Sequence, residues 1–280
     1  MDEYLRRYIR HEVPRGRRTA VEIVREVVAG GGDPATAWVL VAEAFAEHRA
    51  DAATWPAVTD NDRLTTAFAR LDAAGIVARE SFTQTLTDGG HEIRAILRDR
   101  PGARGFAFYH EQDEGSCVAS GGLSIAYGAR AEDGEAIAAA GREIADALAD
   151  EGLAVAWSGD PAIRIEVKMA WQVRRAGELA AAPPHPLPAG ERAAHVDRTG
   201  WSGPFEPPPG RQSPAVFAGA YLPLLPAGGS ATIWGEQTGI RFSRDGGALV
   251  AVVAGADGED EPPVRLAPLD AWPLVRDRLR

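Results

Sequence analysis

Four consecutive polar residues, His110-Glu111-Gln112-Asp113, are the part of the sequence whose residue types could carry out chemistry. They follow directly after an apolar, strand-like run at residues 105–109. A strand end holds side chains on a rigid scaffold next to solvent, which is where binding and catalytic residues are often found. An imidazole beside two carboxylates could bind a divalent metal ion, with His91 and Glu92 as further ligands. The same side chains could instead hydrogen-bond within the segment and fix its conformation.

Neither a metal site nor a nucleophilic site has a complete motif here. The spacing His-x-x-Asp is common, and no second histidine is placed as in the zinc-binding helix of metalloproteases. Ser116 or Cys117 could act as a nucleophile with His110, but the surrounding sequence lacks the second glycine of a nucleophile elbow. We therefore expect no cofactor. The alternative is one divalent metal ion held by His110, Glu111 and Asp113.

Three further residues extend the candidate surface. Tyr127 and Trp157 could line a ligand groove, although aromatic residues in strands usually belong to a core. Arg164 could bind an anion or pair with Glu166. The complete candidate functional surface consists of His110, Glu111, Gln112, Asp113, Tyr127, Trp157 and Arg164.

The net charge of −10, from 30 basic and 40 acidic residues, argues against general nucleic-acid binding. The N-terminus is a local exception, because six arginines fall within the first eighteen residues: Arg6, Arg7, Arg10, Arg15, Arg17 and Arg18. They could contact RNA or an acidic partner, although such clusters are more often a solvated helix face. No apolar run approaches the roughly 20 residues of a membrane span, and the N-terminus lacks the apolar segment of a secretory signal. With a single cysteine as well, we expect a cytoplasmic protein that does not associate with a membrane.

Hydrophobic periodicity predicts an α+β protein. It indicates N-terminal helices, then a mostly antiparallel sheet with helices on one face, then a small β-rich module. The clearest strand has apolar residues at alternate positions from Ile163 to Trp171, with Arg164, Glu166 and Lys168 on its other face. Strands at residues 105–109 and 123–127 should pair through an unusually long loop.

Four segments follow from these patterns. They are an N-terminal helical region (1–59), an α+β domain (60–177), a Pro-rich linker (178–215) and a β-rich module with a closing helix (216–280).

Between about residues 60 and 175 the chain resembles an uncharacterised bacterial family, the domain of unknown function DUF6891. The residues that carry the resemblance are Ala67-Phe68, Leu71, Gly75-Ile76, Phe82-Thr83, Glu92-Ile93, Phe108 to Asp113, Gly122-Leu123, Tyr127-Gly128, Gly152-Leu153, Trp157-Ser158-Gly159, Arg164-Ile165 and Trp171. The resemblance implies a shared fold and no particular activity. In the family a small cysteine cluster often follows the Phe-Thr pair, whereas residues 84–89 of this chain contain no cysteine. A thiolate metal site is therefore not expected at this place in the sequence.

The sequence leads to two hypotheses for function. The first is a cytoplasmic, non-enzymatic binding or regulatory protein that acts through an unidentified protein partner, because no catalytic set is complete. The alternative is a metal-dependent hydrolase that uses His110, Glu111 and Asp113.

Overall fold

A computed structural model describes residues 2–181, 195–199, 201, 214–235, 238–254 and 260–279. Most of the predicted linker, residues 178–215, lies outside this described part. The chain forms two compact units. The central unit is residues 51–174, and the terminal unit combines residues 1–50 with the described part of residues 175–280.

Helices and strands succeed one another as follows. The N-terminal helices are α1 (Asp2–Arg15), α2 (Ala20–Ala29) and α3 (Pro34–Ala52). They are followed by α4 (Asp60–Ala73), β1 (Ile76–Arg79), α5 (Leu86–Asp99), β2 (Gly105–Phe108), α6 (Glu111–Ser120), β3 (Gly122–Ala129), α7 (Gly134–Asp150), β4 (Ala154–Ala156) and β5 (Ile165–Lys168). The last described elements are β6 (His195–Thr199), α8 (Pro214–Val216), β7 (Ser230–Trp234), β8 (Gly239–Asp245), β9 (Ala248–Ala254), β10 (Val264–Leu266) and α9 (Ala271–Arg278).

The central unit contains a five-stranded sheet in the order β1-β2-β3-β5-β4. Only β1 and β2 run parallel, and the other pairs are antiparallel. Along β5, Ile165 and Val167 are buried while Glu166 and Lys168 are exposed, as the alternation predicts. The prediction for Ile163 was wrong: it is 52% exposed, because β5 begins two residues later.

Both faces of this sheet carry apolar side chains. Helices α4 and α7 cover one face, where Phe68 and Leu148 belong to a core with Ala107 of β2. Helix α5 adds cover to the opposite face, where Ile93 packs in a cluster with Phe106 and other residues. Successive residues of β2 therefore serve two cores, as expected for a strand whose side chains alternate between faces.

The predicted long loop between β2 and β3 is instead helix α6, so that prediction was wrong. The two strands do pair as an antiparallel couple, in the register Phe106 with Gly128. Hydrophobic periodicity does not indicate α6, because the first turn of this helix is polar and its middle contains Gly115. Gly121 ends the helix with φ of 77°, a left-handed conformation that glycine adopts without strain.

The terminal unit brings the two ends of the chain into one core. Its antiparallel sheet has the order β10-β9-β8-β7-β6, and residues of α1 to α3 pack in the same apolar cluster as residues of this sheet. Trp38 of α3 donates from Nε1 to the carbonyl oxygen of Ala220 at 2.6 Å. Strands β8 and β9 of the predicted β-rich module pair as an antiparallel hairpin. The α+β class is confirmed, with a sheet in each unit.

Candidate functional site

The carboxyl ends of β1 and β2 form one edge of the central sheet, because these two strands are parallel. Each strand leads through a short segment into a helix, β1 into α5 and β2 into α6. Two backbone hydrogen bonds tie the segments together. Phe82 N donates to Tyr109 O at 2.8 Å, and Glu111 N donates to Thr83 O at 3.1 Å. The edge is therefore a fixed scaffold that positions the predicted run of residues 110–113.

His110 is the N-cap of α6. Its Nδ1 accepts the backbone N–H of Asp113 at 3.2 Å, and its own backbone N–H donates to the Asp113 carboxylate at 3.2 Å. This reciprocal pair is a capping box, which satisfies two amide groups that a helix start leaves unpaired.

Both ring nitrogens of His110 interact with Asp113. A ring nitrogen that accepts a hydrogen bond carries no proton, so the neutral ring has its proton on Nε2. Nε2 lies 3.1 Å from Asp113 Oδ2. Burial lowers the pKa of His110, with the Asp113 charge acting in the opposite direction and the Arg164 charge lowering it further. Both ring nitrogens thus face Asp113, and burial favours the uncharged form of the ring.

Arg164, which is partly exposed, completes a cluster with these two buried residues. One guanidinium nitrogen lies 2.6 Å from Asp113 Oδ2 and also donates to the carbonyl oxygen of Ser124. Of the two roles considered for Arg164, pairing with Glu166 is not observed. The Glu166 carboxylate instead accepts from the Ser124 hydroxyl. The cluster of His110, Asp113 and Arg164 therefore joins the start of α6 to the residue just before β5.

The three predicted metal ligands do not form a metal-binding group. Within the described residues, no three His, Cys, Asp or Glu side chains are arranged to hold a metal ion. Gln112 is exposed and Glu111 is partly buried on the first turn of α6, while His91 and Glu92 are exposed on α5. Only His110 and Asp113 of the proposed set come together, and they bind each other.

The cysteine has the properties of a core residue. Cys117 is 1% exposed, and its pKa is raised to about 11, mainly by burial and also by the nearby charges of Glu114 and Asp60. A thiol in this state is protonated at neutral pH, whereas nucleophilic cysteines need a thiolate. Ser116 is exposed and donates to the carbonyl oxygen of Gln112 at 2.9 Å. No catalytic pair with His110 is formed by either residue.

Tyr127 and Trp157 form a second group. Their rings meet edge to face at a centroid distance of 5.7 Å, and Trp157 Nε1 donates to the Tyr127 hydroxyl at 3.0 Å. The hydroxyl lies 3.1 Å from the carbonyl oxygens of both Asp160 and Ile163, to which it donates. A Cβ at Gly141 of α7 would lie 2.7 Å from each ring. These contacts place the two aromatics against the helix, where they fix the turn before β5.

The family model of a domain of unknown function, DUF6891, matches residues 1–175, which is more than half of the chain. The chain belongs to this family. Neither a curated protein nor a solved structure is similar enough to the chain to give a match. The matched range of the family is longer than the resemblance seen in the sequence, because it includes α1 to α3. It ends at Arg175, whose guanidinium donates to the carbonyl oxygens of Val13 at 2.8 Å and of Arg18.

The loop between β1 and α5 was not among the candidate functional residues identified from the sequence. Ser81 and Thr83 adopt positive φ angles of 45° and 62°, which is uncommon outside glycine. The loop borders a surface depression of about 470 Å³, lined by Glu80, Ser81, Phe82, Thr83, Gln84, Asp88 and Glu92. The available signal was the Phe82-Thr83 pair of the family resemblance, which adjoins the run at residues 110–113 only in the folded chain.

Three of the arginines near the N-terminus make ion pairs inside the terminal unit. Arg15 lies 2.8 Å from Glu12, and Arg18 lies 2.5 Å from Glu26. Arg6 lies 3.5 Å from Glu43. The Arg6 pair joins α1 to α3, the Arg15 pair lies within α1, and the Arg18 pair joins the α1–α2 connection to α2. Across the described ranges, no helix is long and apolar enough to cross a membrane.

Proposed function

We propose that this member of DUF6891 is a cytoplasmic, non-enzymatic protein that acts by binding a protein partner, without a resident cofactor. The carboxyl edge of β1 and β2 is its contact surface. We call this the edge surface, and it consists of the depression-lining residues 80–84, Asp88 and Glu92 together with Glu111 and Gln112. The observation that supports the proposal is the commitment of His110, Asp113 and Arg164 to one another. Such a cluster stabilises the edge, and the side chains around it form the contact surface.

The charge of the edge surface favours a basic partner. Four carboxylates belong to it, those of Glu80, Asp88, Glu92 and Glu111. Opposite charge on a partner speeds association and fixes the orientation of binding. We therefore propose that the partner presents lysine or arginine side chains to this surface.

The rigidity of the loop also supports a binding role. Ser81 and Thr83 keep strained backbone angles because the Phe82 and Glu111 amides are hydrogen-bonded across the edge. Strained residues of this kind concentrate at functional sites. A surface that is already ordered loses little conformational entropy when a partner binds.

A charge-reversal comparison tests the edge surface. The double variant Glu92→Lys with Gln112→Lys changes two exposed side chains, neither of which caps a helix. The control, Asp146→Lys with Ala149→Lys, changes the net charge by the same amount at exposed positions of α7. The measurement is quantitative affinity capture from the native host. The edge variant should recover roughly tenfold less of a partner that the unaltered chain and the control both retain. Equal recovery of every captured protein by all three would contradict the proposal.

Metal analysis separates this proposal from the metal-dependent hydrolase. We expect the chain purified without metal affinity resin to contain no stoichiometric metal and to keep its melting temperature in chelator. A bound divalent ion, whose removal lowers the melting temperature of the natural chain but not of His110→Asn, would overturn the proposal in favour of the hydrolase.

A further inference from the structure

The terminal unit contains a cavity of about 790 Å³ that no part of the proposed function uses. It lies between the first turn of α2, the start of β9, and the segment from β10 to α9. Its apolar wall consists of Ala20, Val21, Ala248, Leu266, Pro268 and Leu269. The volume lies within the range of pockets that bind small organic molecules.

Two arginines in the wall of this cavity are held close together. Arg25 of α2 reaches the carbonyl oxygens of Leu224 and Leu225, at 3.4 and 3.5 Å. Arg244 of β8 donates to the carbonyl oxygen of the adjacent Pro223 at 3.3 Å. Both guanidinium groups are therefore anchored on one short stretch of backbone, residues 223–225.

The two arginines repel each other, and within the described residues no carboxylate pairs with Arg244. Burial lowers the pKa of Arg244, and the charge of Arg25 lowers it further. Within the described residues, Arg244 contacts only carbonyl oxygens, those of Pro223 and Gly246. Glu22 partly offsets the charge of Arg25, since burial lowers the pKa of Arg25 and the charge of Glu22 raises it. The charge that acts on Arg244 lowers its pKa, so an anion at Arg244 would stabilise the folded chain.

The carboxylates that line the cavity do not offset the positive charge of Arg244. Glu22 accepts the backbone N–H and the hydroxyl of Thr19, at 2.7 and 2.9 Å, as part of the α2 capping box. Glu178 and Asp270 are exposed at the rim. A third arginine of the cavity, Arg265, pairs with Asp245.

We propose that this cavity binds a small organic anion, with its apolar body on the apolar wall and its oxyanion hydrogen-bonded by Arg25 and Arg244. Guanidinium groups bind phosphate and carboxylate oxygens with paired N–H donors, which explains the use of arginine here. The site lies in the terminal unit and is independent of the edge surface in the central unit.

Calorimetric titration of the full chain with 1-naphthyl phosphate tests the site, and 1-naphthol serves as the neutral probe with the same rings. We expect the phosphate to bind and the naphthol to bind at least tenfold more weakly. Arg244→Gln should weaken phosphate binding roughly tenfold or more, since it removes a charged hydrogen-bond donor. Arg276→Gln changes an exposed arginine that pairs with Asp277 outside the cavity, and should have no effect.

A second pair of variants keeps the test decisive if Arg244→Gln does not fold. Ala267 is exposed and lines the cavity, so its replacement removes no side-chain hydrogen bond. Ala267→Glu should weaken binding of 1-naphthyl phosphate, while Ala267→Lys should preserve or strengthen it. The proposal is overturned if the unaltered chain gives no saturable binding of this probe, or if its affinity is the same in both Ala267 variants.

Discussion

At position 110 a histidine occupies a helix start where serine, threonine, aspartate or asparagine is usually found. Its ring accepts the Asp113 amide, and Asp113 in turn accepts from Arg164. In the sequence each of the three residues is a candidate for a functional site, but in the structure they contact one another. The individual side chains therefore make predictions about stability, and the edge around them makes predictions about binding.

The lowered pKa of His110 predicts a pH-dependent contribution to stability. The unfolded histidine, with a pKa near 6.5, takes up a proton that the folded one resists, so the free energy of unfolding falls as the pH drops through this range. His110→Asn retains a capping side chain and cannot titrate. Urea unfolding at about pH 7 and about pH 5.5 should show a larger loss of stability in the natural chain than in the variant. An equal loss in both would contradict the lowered pKa of His110.

Removing Arg164 leaves the buried Asp113 carboxylate without its cationic partner. We expect Arg164→Met to lower the free energy of unfolding by about 2 kcal/mol, the typical value for a hydrogen bond to a charged group. Arg63→Met is the matched control, since Arg63 forms a surface ion pair with Asp60 at 3.0 Å. The control should lose at most about 1 kcal/mol in the same urea measurement. Similar losses in both variants would show that the Arg164–Asp113 pair contributes no more to the free energy of unfolding than a surface ion pair does.

At the scale of elements, α5 illustrates how close packing constrains a helix. Two adjacent glycines, Gly89 and Gly90, lie in its first half, where glycine is intrinsically unfavourable. A Cβ at Gly89 would lie 2.9 Å from Phe108 Cζ and 3.1 Å from the Thr83 hydroxyl. At Gly90 the nearest atom is the end of the flexible Arg94 side chain at 3.5 Å. Only the first glycine is required by the approach of α5 to β2.

The two glycines give a matched pair of substitutions. Gly89→Ala should destabilise the chain by about 1 to 3 kcal/mol, because the added methyl group overlaps Phe108. Gly90→Ala should stabilise it by up to about 1 kcal/mol through helix propensity. Urea unfolding of both variants measures the difference, and the same sign of change in both would contradict the described packing of α5.

At the scale of the whole molecule, the described chain builds its cores within two units. Among the described residues, the buried members of the cores around the central sheet fall within 64–169, whereas those of the other core combine residues 5–45 with residues 196–275. In the second case, the two ends of the chain bury their apolar side chains in one shared core. Residues of the N-terminal helices are needed to complete the C-terminal sheet, as the Trp38 hydrogen bond to Ala220 illustrates.

This division predicts different outcomes for two truncations. Residues 51–174 expressed alone should fold cooperatively, because this segment retains its entire core. A chain lacking residues 1–50 should lose the packing of the C-terminal sheet, observed as loss of dispersed amide signals from β7 to β9 in two-dimensional NMR. An unfolded central segment, or an intact C-terminal sheet after the deletion, would contradict the assignment of the cores.

The sequence by itself determined the elements whose pattern is local. The alternation along β5 follows from residues within one element, and the family resemblance follows from short motifs. Tertiary structure decided the role of His110, the helix in place of a long loop, and the contact between Phe82-Thr83 and the run that follows β2. It also decided that the two chain ends share a core. The capping box of His110 and helix α6 are local, but histidine is an uncommon N-cap and the polar first turn of α6 gives no hydrophobic periodicity. The other features, and the contact of Asp113 with Arg164, depend on partners that are distant in sequence. Hydrophobic periodicity within a short window contains no information about which distant segment will cover an apolar face.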